Sequence, residues 1–255
     1  MKNILKSIVL IAFLFLSCSK NDNVENVLIN DNYPYIKQVG YSANDILSDK
    51  IFKNIYFEVM YVDGFKPTDN TLNNLKSFIE SRTYKTAIVV ETRLIDISLK
   101  SIYSMDDVRN IEDANKTMFT DENLLVISAL FLNGNSSSNT DTGVVLGTAY
   151  RNTSFVMFEE TIHSFSDSPF EPSREVLEST VMLHEFCHLL GLVNIGTNMV
   201  EDHQDTEHGA HCTDQNCLMY YQVENGKSIK DMIVGGAMPQ LDLFCLEDLK
   251  ANGGR

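Results

Sequence analysis

Two histidines and a glutamate stand close together in the run HEFCHLLGL, which begins at His184. Residues four apart on a helix lie one turn above each other on the same face, so His184 and His188 face a common position. Two imidazoles placed in this way can bind a zinc ion, and Glu185 beside them can take a proton from a water that the ion activates. The pattern is the HExxH motif, and it predicts metal-assisted hydrolysis.

The surroundings of the motif favour a metal centre over the alternative of two ordinary core histidines. An apolar run predicts a helix over 176–192 that carries the motif. A buried pair of histidines needs polar partners, and a zinc ion would serve both. Five of the six histidines also fall within 28 residues, namely His184, His188, His203, His208 and His211.

The amino-terminal residues predict export. Lys2 and Lys6 precede nine apolar residues that end just before Ser-Cys, which is the order of a signal peptide, and a membrane span would need about 20 apolar residues. The run FLSC at 15–18 resembles the lipobox of bacterial lipoproteins. This resemblance implies a signal peptide over 1–17 and lipidation of Cys18, and a plain cleaved signal peptide is the alternative.

The rest of the chain divides into a tether and one domain. Residues 18–50 are expected to form a lipidated flexible tether and entry segment, because their first part is polar and rich in asparagine. Residues 51–255 are expected to form a single domain, which we predict to be monomeric. The expected location is the bacterial cell envelope, with a lipid anchor in the outer membrane and the domain in the periplasm or at the cell surface.

The charge of the chain excludes one class of partner. The formal charge of the 255 residues is −15, and it becomes −17 when Lys2 and Lys6 leave with the signal peptide. Such an acidic surface repels nucleic acid, so no nucleic-acid partner is expected.

Four cysteines follow Cys18, and an even number in an exported protein favours disulfides. Cys212 and Cys217 are close enough in sequence to close a small loop, which would leave Cys187 and Cys245 to pair with each other. Free buried thiols are the alternative, since cysteine packs well as a small apolar residue.

Strands and helices alternate before the motif. A βαβ unit is predicted from the strand over 54–62, the helix over 69–82 and the strand over 87–90. Ser173 is the expected N-cap of the motif helix. Segments over 133–142 and 194–216 are expected to be loops. Hydrophobic periodicity predicts strands over 54–62, 87–90, 124–131, 144–150 and 154–158, and further helices over 69–82, 106–118 and 242–249.

The residues after the motif resemble those of the metzincin metallopeptidases, and most of all the archaemetzincins. Gly191 stands three residues after His188, where that family bends the chain toward a third zinc ligand. The family's usual ligand position is occupied by Asn194, but HCTDQNCLM, which begins at His211, reproduces the archaemetzincin spacing H-C-x4-C-x-M. The resemblance covers residues 184–221 and implies an insertion before His211, with His211 as the third zinc ligand.

The same resemblance implies a fold and further roles. The fold would be zincin-like: a mixed, mostly parallel twisted sheet with an antiparallel edge strand, an active-site helix, and a small C-terminal subdomain with a Met-turn and a terminal helix. Met219 would form the Met-turn beneath the metal. Tyr221 would be a catalytic tyrosine near the metal, and a packing role is its alternative. The edge strand, over 144–150, would hold an extended peptide by β-augmentation.

Two departures from the family leave alternatives open. The insertion contains His203 and His208, which rival His211 as the third ligand. Archaemetzincins also hold a second, structural zinc with a closing CxxC pair, whereas Cys245 is followed here by Asp248 in the partner position. This departure makes a second zinc doubtful and favours the disulfide.

These features together predict an exported zinc-dependent metalloprotease that acts on peptides or proteins. One catalytic Zn²⁺ is expected, with Glu185 as general base and then general acid. The alternatives are a zincin-fold lipoprotein that binds a peptide or protein without turnover, and a zinc hydrolase of another substrate class. The intact Glu185 favours the enzyme, because zinc binding alone does not need it.

Overall fold

A computed structural model of the chain describes residues 33–141, 143–226, 229, 233 and 236–255. Its strands are β1 Asn54–Tyr61, β2 Ala87–Leu94, β3 Ile102–Tyr103, β4 Leu124–Leu132, β5 Asn135–Ser136, β6 Gly147–Arg151 and β7 Ser154–Phe158. Five of them form one sheet in the order β2-β1-β4-β7-β6. Its strands are parallel except β6, which pairs antiparallel with β7 at the edge. The strands β3 and β5 form a separate parallel pair.

The helices are α1 Ala43–Leu47, α2 Asp69–Arg82, α3 Met105–Asn115, α4 Glu159–Ser164, α5 Arg174–Leu189 and α6 Leu243–Ala251, and a short 3-10 helix covers Tyr221–Glu224. Four of the six helices in the described residues begin at a capping side chain, namely α2, α3, α5 and α6. Ser173 caps α5 and Asp242 caps α6, because each side chain accepts a hydrogen bond from a backbone N–H of the first turn.

The sheet is covered on both faces, which explains why β4 reads as the continuous apolar run LLVISALFL. On one face, Leu125 and Ile127 belong to the larger core, to which α2 and α5 contribute. On the other face, Leu130 and Leu132 belong to a smaller core that includes Val108 of α3. The alternation along the strand therefore separates two cores.

Helix α5 is the most deeply buried helix of the described residues, because it packs between the sheet and the segment around Leu218. Every residue from Leu177 to Leu189 is buried. The helix therefore carries His184, Glu185 and His188 into the interior, where polar groups are costly unless they find partners.

The sequence predicts the mixed fold, the mostly parallel sheet and the antiparallel edge strand correctly. It misses α1 and α4, which are too short to show a period, and the loop expected over 133–142 contains β5. The packed unit also begins before residue 51. Ile46 and Leu47 are fully buried, and the buried Lys85 donates hydrogen bonds to the carbonyl oxygens of Ser48 and Phe52.

The amino-terminal predictions concern residues that the structure does not describe. The signal peptide over 1–17 and the lipidated Cys18 lie outside the described residues. Among the residues described, no helix has the length and apolar character that a bilayer crossing requires.

Candidate metal centre and hydrolytic site

Helix α5 brings the two histidines of the motif together. The ring centroids of His184 and His188 are 4.7 Å apart, and their Nε2 atoms are 3.1 Å apart. The Nδ1 of His184 donates a hydrogen bond to the carbonyl oxygen of Leu218, at 2.7 Å. A carbonyl can only accept, so this bond fixes the proton on Nδ1 and leaves the Nε2 lone pair free to bind a metal.

His211 completes a triangle with the two histidines of α5. Its ring centroid lies 5.2 Å from that of His184 and 5.2 Å from that of His188. Its Nδ1 donates to the carbonyl oxygen of His208 at 2.6 Å, and its Nε2 lies 2.7 Å from Oε1 of Glu224, so a metal bound at Nε2 would displace the proton between that nitrogen and the carboxylate. The structure thus brings His211, the third ligand expected from the sequence, to the motif histidines.

The chain turns toward His211 at Gly191, directly after α5. Gly191 has a φ of +83°, and a Cβ at this position would lie 2.4 Å from the side chain of Thr197. Only glycine fits both the backbone conformation and this close approach. The loop that follows returns to the site through Asp205, whose N–H donates to the carbonyl oxygen of His211 at 2.7 Å.

Glu224 is a member of this cluster that sequence reasoning missed. Its Oε1 lies 2.7 Å from Nε2 of His211, and one ligand atom of each of the four residues lies within 4.8 Å of the others. Pairing with the segment before β6 fixes its position, because the N–H of Leu146 donates to the Glu224 carbonyl oxygen at 3.1 Å. Glu224 lies outside the recognised motif, so the sequence carries no signal for it.

Glu185 is held by the edge strand. Its Oε2 accepts a hydrogen bond from the N–H of Ala149 at 2.6 Å, whereas Oε1 is buried without a hydrogen-bond partner. Gly147 makes room for this side chain, because a Cβ there would lie 2.8 Å from Cγ and 2.9 Å from Oε1 of Glu185. The carboxylate therefore has one oxygen fixed and one available.

Burial and the contact between His211 and Glu224 together set the charge states at this cluster. Burial lowers the pKa of His184 well below its ordinary value and that of His188 to about 4, so both rings are neutral near pH 7, as metal ligands must be. Burial also raises the pKa of Glu185 well above its ordinary value. For Glu224, burial opposes ionisation, but the hydrogen bond with His211 lowers its pKa to about 2.

Tyr221 lies beside the cluster and packs against His208, a residue of the loop that follows Gly191. Its ring stacks on that of His208 with centroids 3.6 Å apart and planes at 2°, and His208 in turn contacts Asp205 at 2.7 Å through Nδ1. Tyr221, His208, His211 and Glu224 line one cavity of about 250 Å³. His208 therefore forms the wall of this cavity and does not join the histidine triangle.

A second cluster of metal-binding residue types lies apart from the triangle, and it contains His203. Ligand atoms of His203, Cys212, Asp242 and Cys245 lie within 4.8 Å of one another, and the Cys217 sulfur is 3.7 Å from that of Cys245. Met219, the expected Met-turn residue, follows Cys217 by two residues and is fully buried. His203, a rival for the third ligand position in the sequence, thus belongs to a different site.

The disulfides favoured from the sequence are wrong. Cys187, Cys212, Cys217 and Cys245 are all free in the structure. Proximity in sequence suggested the Cys212–Cys217 pair, but the fold gathers three thiols at one place. Hydrogen bonds from Cys217 and Cys245 lower the pKa of the Cys212 thiol.

Similarity to known proteins is found among solved structures. No family model matches the sequence, and no curated protein matches it. The fold is similar to that of archaemetzincin from Methanopyrus kandleri, with 15% identity and a TM-score of 0.51 over 78% of this chain and 96% of that chain.

Two further solved structures resemble the chain more loosely. Archaemetzincin from Archaeoglobus fulgidus, complexed with malonate, has 16% identity and a TM-score of 0.43 over 76% of this chain and 99% of that chain. A zinc-dependent peptidase from Methanocorpusculum labreanum has 14% identity and a TM-score of 0.46 over 75% and 99%. At these identities the likeness concerns the fold alone.

Proposed function

We propose that the protein is a zinc-dependent metallopeptidase of the metzincin type, most like the archaemetzincins. The observation that carries this proposal is the triangle of His184, His188 and His211 with Glu185 alongside. Three imidazoles gathered in this way suit a catalytic zinc, which takes three protein ligands and leaves one position open. When bound, the zinc lowers the pKa of a water molecule and polarises the scissile carbonyl group.

Glu185 moves the proton in this proposal. Its Oε2 stays bound to the Ala149 N–H, so Oε1 is the atom that accepts the proton of the attacking water. The same Oε1 then donates this proton to the amine that leaves when the peptide bond breaks. Gly147 keeps Oε1 in position, because any side chain there would collide with it.

The edge of the sheet offers a place for an extended peptide. Strand β6 is the last strand of the sheet and carries Ala149, whose N–H holds Glu185. A peptide that adds to this region by β-augmentation would bring its backbone beside the catalytic carboxylate. In this arrangement the cavity lined by Tyr221 receives a substrate side chain, and the Tyr221 hydroxyl assists at the carbonyl oxygen.

The proposal includes the location of the enzyme. The lipobox-like sequence supports export and lipidation of Cys18, and hence an enzyme tethered to the outer membrane of a bacterial envelope. Its substrates would be peptides or proteins that reach this compartment.

One observation favours a second candidate function, a zincin-fold lipoprotein that binds a peptide or protein without turnover. The Glu224 carboxylate lies 2.7 Å from Nε2 of His211, where it could take the position that a catalytic water needs. A centre with four protein ligands is typical of structural zinc sites.

A single comparison separates the two functions. The mature protein and its Glu185→Gln variant would be analysed for zinc content and incubated with a peptide library, with and without a chelator. The metallopeptidase proposal expects zinc in both proteins and chelator-sensitive cleavage by the parent alone. Peptide binding without cleavage by the parent would favour the binding module, and absence of zinc from both proteins would refute both functions.

A further inference from the structure

The second cluster contains three cysteines but not the fourth that the resembling family uses. Asp248 stands where that family has its last cysteine, so the three thiols of Cys212, Cys217 and Cys245 lack a fourth sulfur. All three are buried and free. Three thiols gathered without a disulfide are a donor set that soft metal ions such as zinc prefer.

His203 fills the gap in this cluster. It is buried, with 4% of its surface exposed, although it comes from the polar insertion, in which histidines are ordinarily solvated. Its Nδ1 lies 3.3 Å from the sulfur of Cys212. Two ligands of one tetrahedral zinc, with bonds of about 2.0–2.3 Å, lie at a similar separation.

Asp248 fixes the orientation of His203. Its Oδ2 lies 2.9 Å from Nε2 of His203, and its Oδ1 accepts a hydrogen bond from the N–H of Val200 at 2.6 Å. An ionised carboxylate can only accept, so Nε2 carries the proton and Nδ1 keeps the lone pair that faces the sulfurs. This is the arrangement of a metal-binding histidine backed by a carboxylate.

Backbone groups around the thiols support the same arrangement. The N–H of Asp214 points at the Cys212 sulfur at 3.4 Å. The N–H groups of Met219 and Asp242 point at the Cys217 sulfur, both at 3.4 Å. Donors aimed at sulfur stabilise thiolates, which are the form that binds metal.

We propose that His203 binds a metal ion through Nδ1 together with Cys212, Cys217 and Cys245, and that Asp248 orients it. The loop before His211 thus supplies His203 as the fourth ligand. Asp248, at the position where the resembling family has its last cysteine, binds the far side of the His203 ring. Zinc is the metal class that this Cys₃His set fits.

Asp242 is the competing ligand, since its carboxylate also lies in the cluster. It already has another task, because its Oδ1 accepts the N–H of Cys245 at 2.9 Å as the N-cap of α6. Its remaining oxygen lies 3.6 Å from the Cys212 sulfur. Replacement by serine would keep the cap and remove the carboxylate, so the variant Asp242→Ser tests this alternative directly.

Cobalt(II) loading of the purified full-length mature protein tests the proposal. Cobalt bound to thiolates gives a charge-transfer absorption in the near ultraviolet that the three-histidine site cannot produce. This readout is therefore independent of peptidase activity. We expect the parent to show the band, the variant His203→Ala to lose it or bind cobalt at least about tenfold more weakly, and His208→Ala to match the parent.

A rescue variant keeps the test decisive if His203→Ala folds poorly. The double variant His203→Ala/Asp248→Cys places a fourth thiol where the resembling family has one, and we expect it to regain the band. An unchanged band in His203→Ala, or loss of the band in Asp242→Ser with retention in His203→Ala, would overturn the proposal. Absence of the band from the reduced parent protein would overturn it as well.

Discussion

The variant Gly147→Ala tests whether the edge strand positions the Glu185 carboxylate, which we propose to be catalytic. The added methyl group would lie 2.8 Å from Cγ and 2.9 Å from Oε1 of Glu185, and 2.9 Å from a methyl group of Val181. Carbon atoms prefer separations of about 3.5–4.0 Å, so the Glu185 side chain must move by roughly 0.5–1 Å. That movement would also disturb the 2.6 Å bond from the Ala149 N–H.

The expected loss of activity is large compared with the size of the substitution. A misplacement of about 1 Å at a catalytic group costs on the order of 10²-fold in rate, or about 2.7 kcal/mol in the activation free energy. Zinc content should stay that of the parent, since Gly147 lies against the carboxylate and not against the histidine ligand atoms. The overpacking should lower the free energy of unfolding by about 1–3 kcal/mol.

Steady-state kinetics on a cleaved peptide, with zinc analysis and thermal unfolding of the same samples, would measure these effects. Gly64→Ala is a suitable control, because Gly64 has a φ of +83° but nothing within 4 Å of an added Cβ. It should lose about 1–2 kcal/mol of stability through backbone strain and keep its activity. In the Glu185→Gln background, Gly147→Ala should cause little further loss. A kcat/KM within about twofold of the parent for Gly147→Ala would refute the positioning argument.

Three further predictions concern charge, metal binding and export. Burial and the neighbouring Glu159 raise the folded-state pKa of Glu178 to about 8. The folded state therefore binds more protons than the unfolded state between pH 4.5 and 8. Stability should fall as the pH rises through this range. Glu178→Gln should remove this fall and gain on the order of 1–3 kcal/mol above pH 8, with no gain near pH 4, as measured by denaturant unfolding. Loss of a residue that only hydrogen-bonds to a metal ligand costs up to roughly 100-fold in metal affinity. The variant His211→Ala removes a ligand itself, so it should weaken zinc binding by more than this. His208→Ala should leave zinc binding nearly unchanged in the same titration. Mass spectrometry of membrane-extracted protein should find Cys18 lipidated, and a soluble mature form with Cys18 unmodified would contradict this prediction.

The parts of the site that the sequence predicts are those set by local geometry. His184, Glu185 and His188 follow from the helical period, because one turn of α5 is enough to bring them together. His211 was expected from its spacing to Cys212 and Met219, and the structure places it 5.2 Å, ring to ring, from both helix histidines.

The parts that the sequence misses depend on distant pairings. Glu224 reaches the triangle because its carbonyl oxygen pairs with the N–H of Leu146, 78 residues earlier in the chain. The disulfide expectation failed for a related reason. Cys212 and Cys217 are near in sequence, but the sulfur of Cys245 comes within 3.7 Å of Cys217 only after α6 packs against the core.

The two clusters are connected through a single peptide bond, and this limits how far the loop between Gly191 and His211 can affect the triangle. His211 faces the triangle, and its neighbour Cys212 faces the second cluster. The chain is extended here, since Cys212 forms an antiparallel bridge with Gln204, and successive side chains of an extended chain point to opposite sides. A metal held by Cys212 and His203 would therefore fix the backbone from which His211 projects. The length of chain between Gly191 and His211 then matters little for the position of His211. The metal would hold this loop at His203, within it, and at Cys212, directly after it.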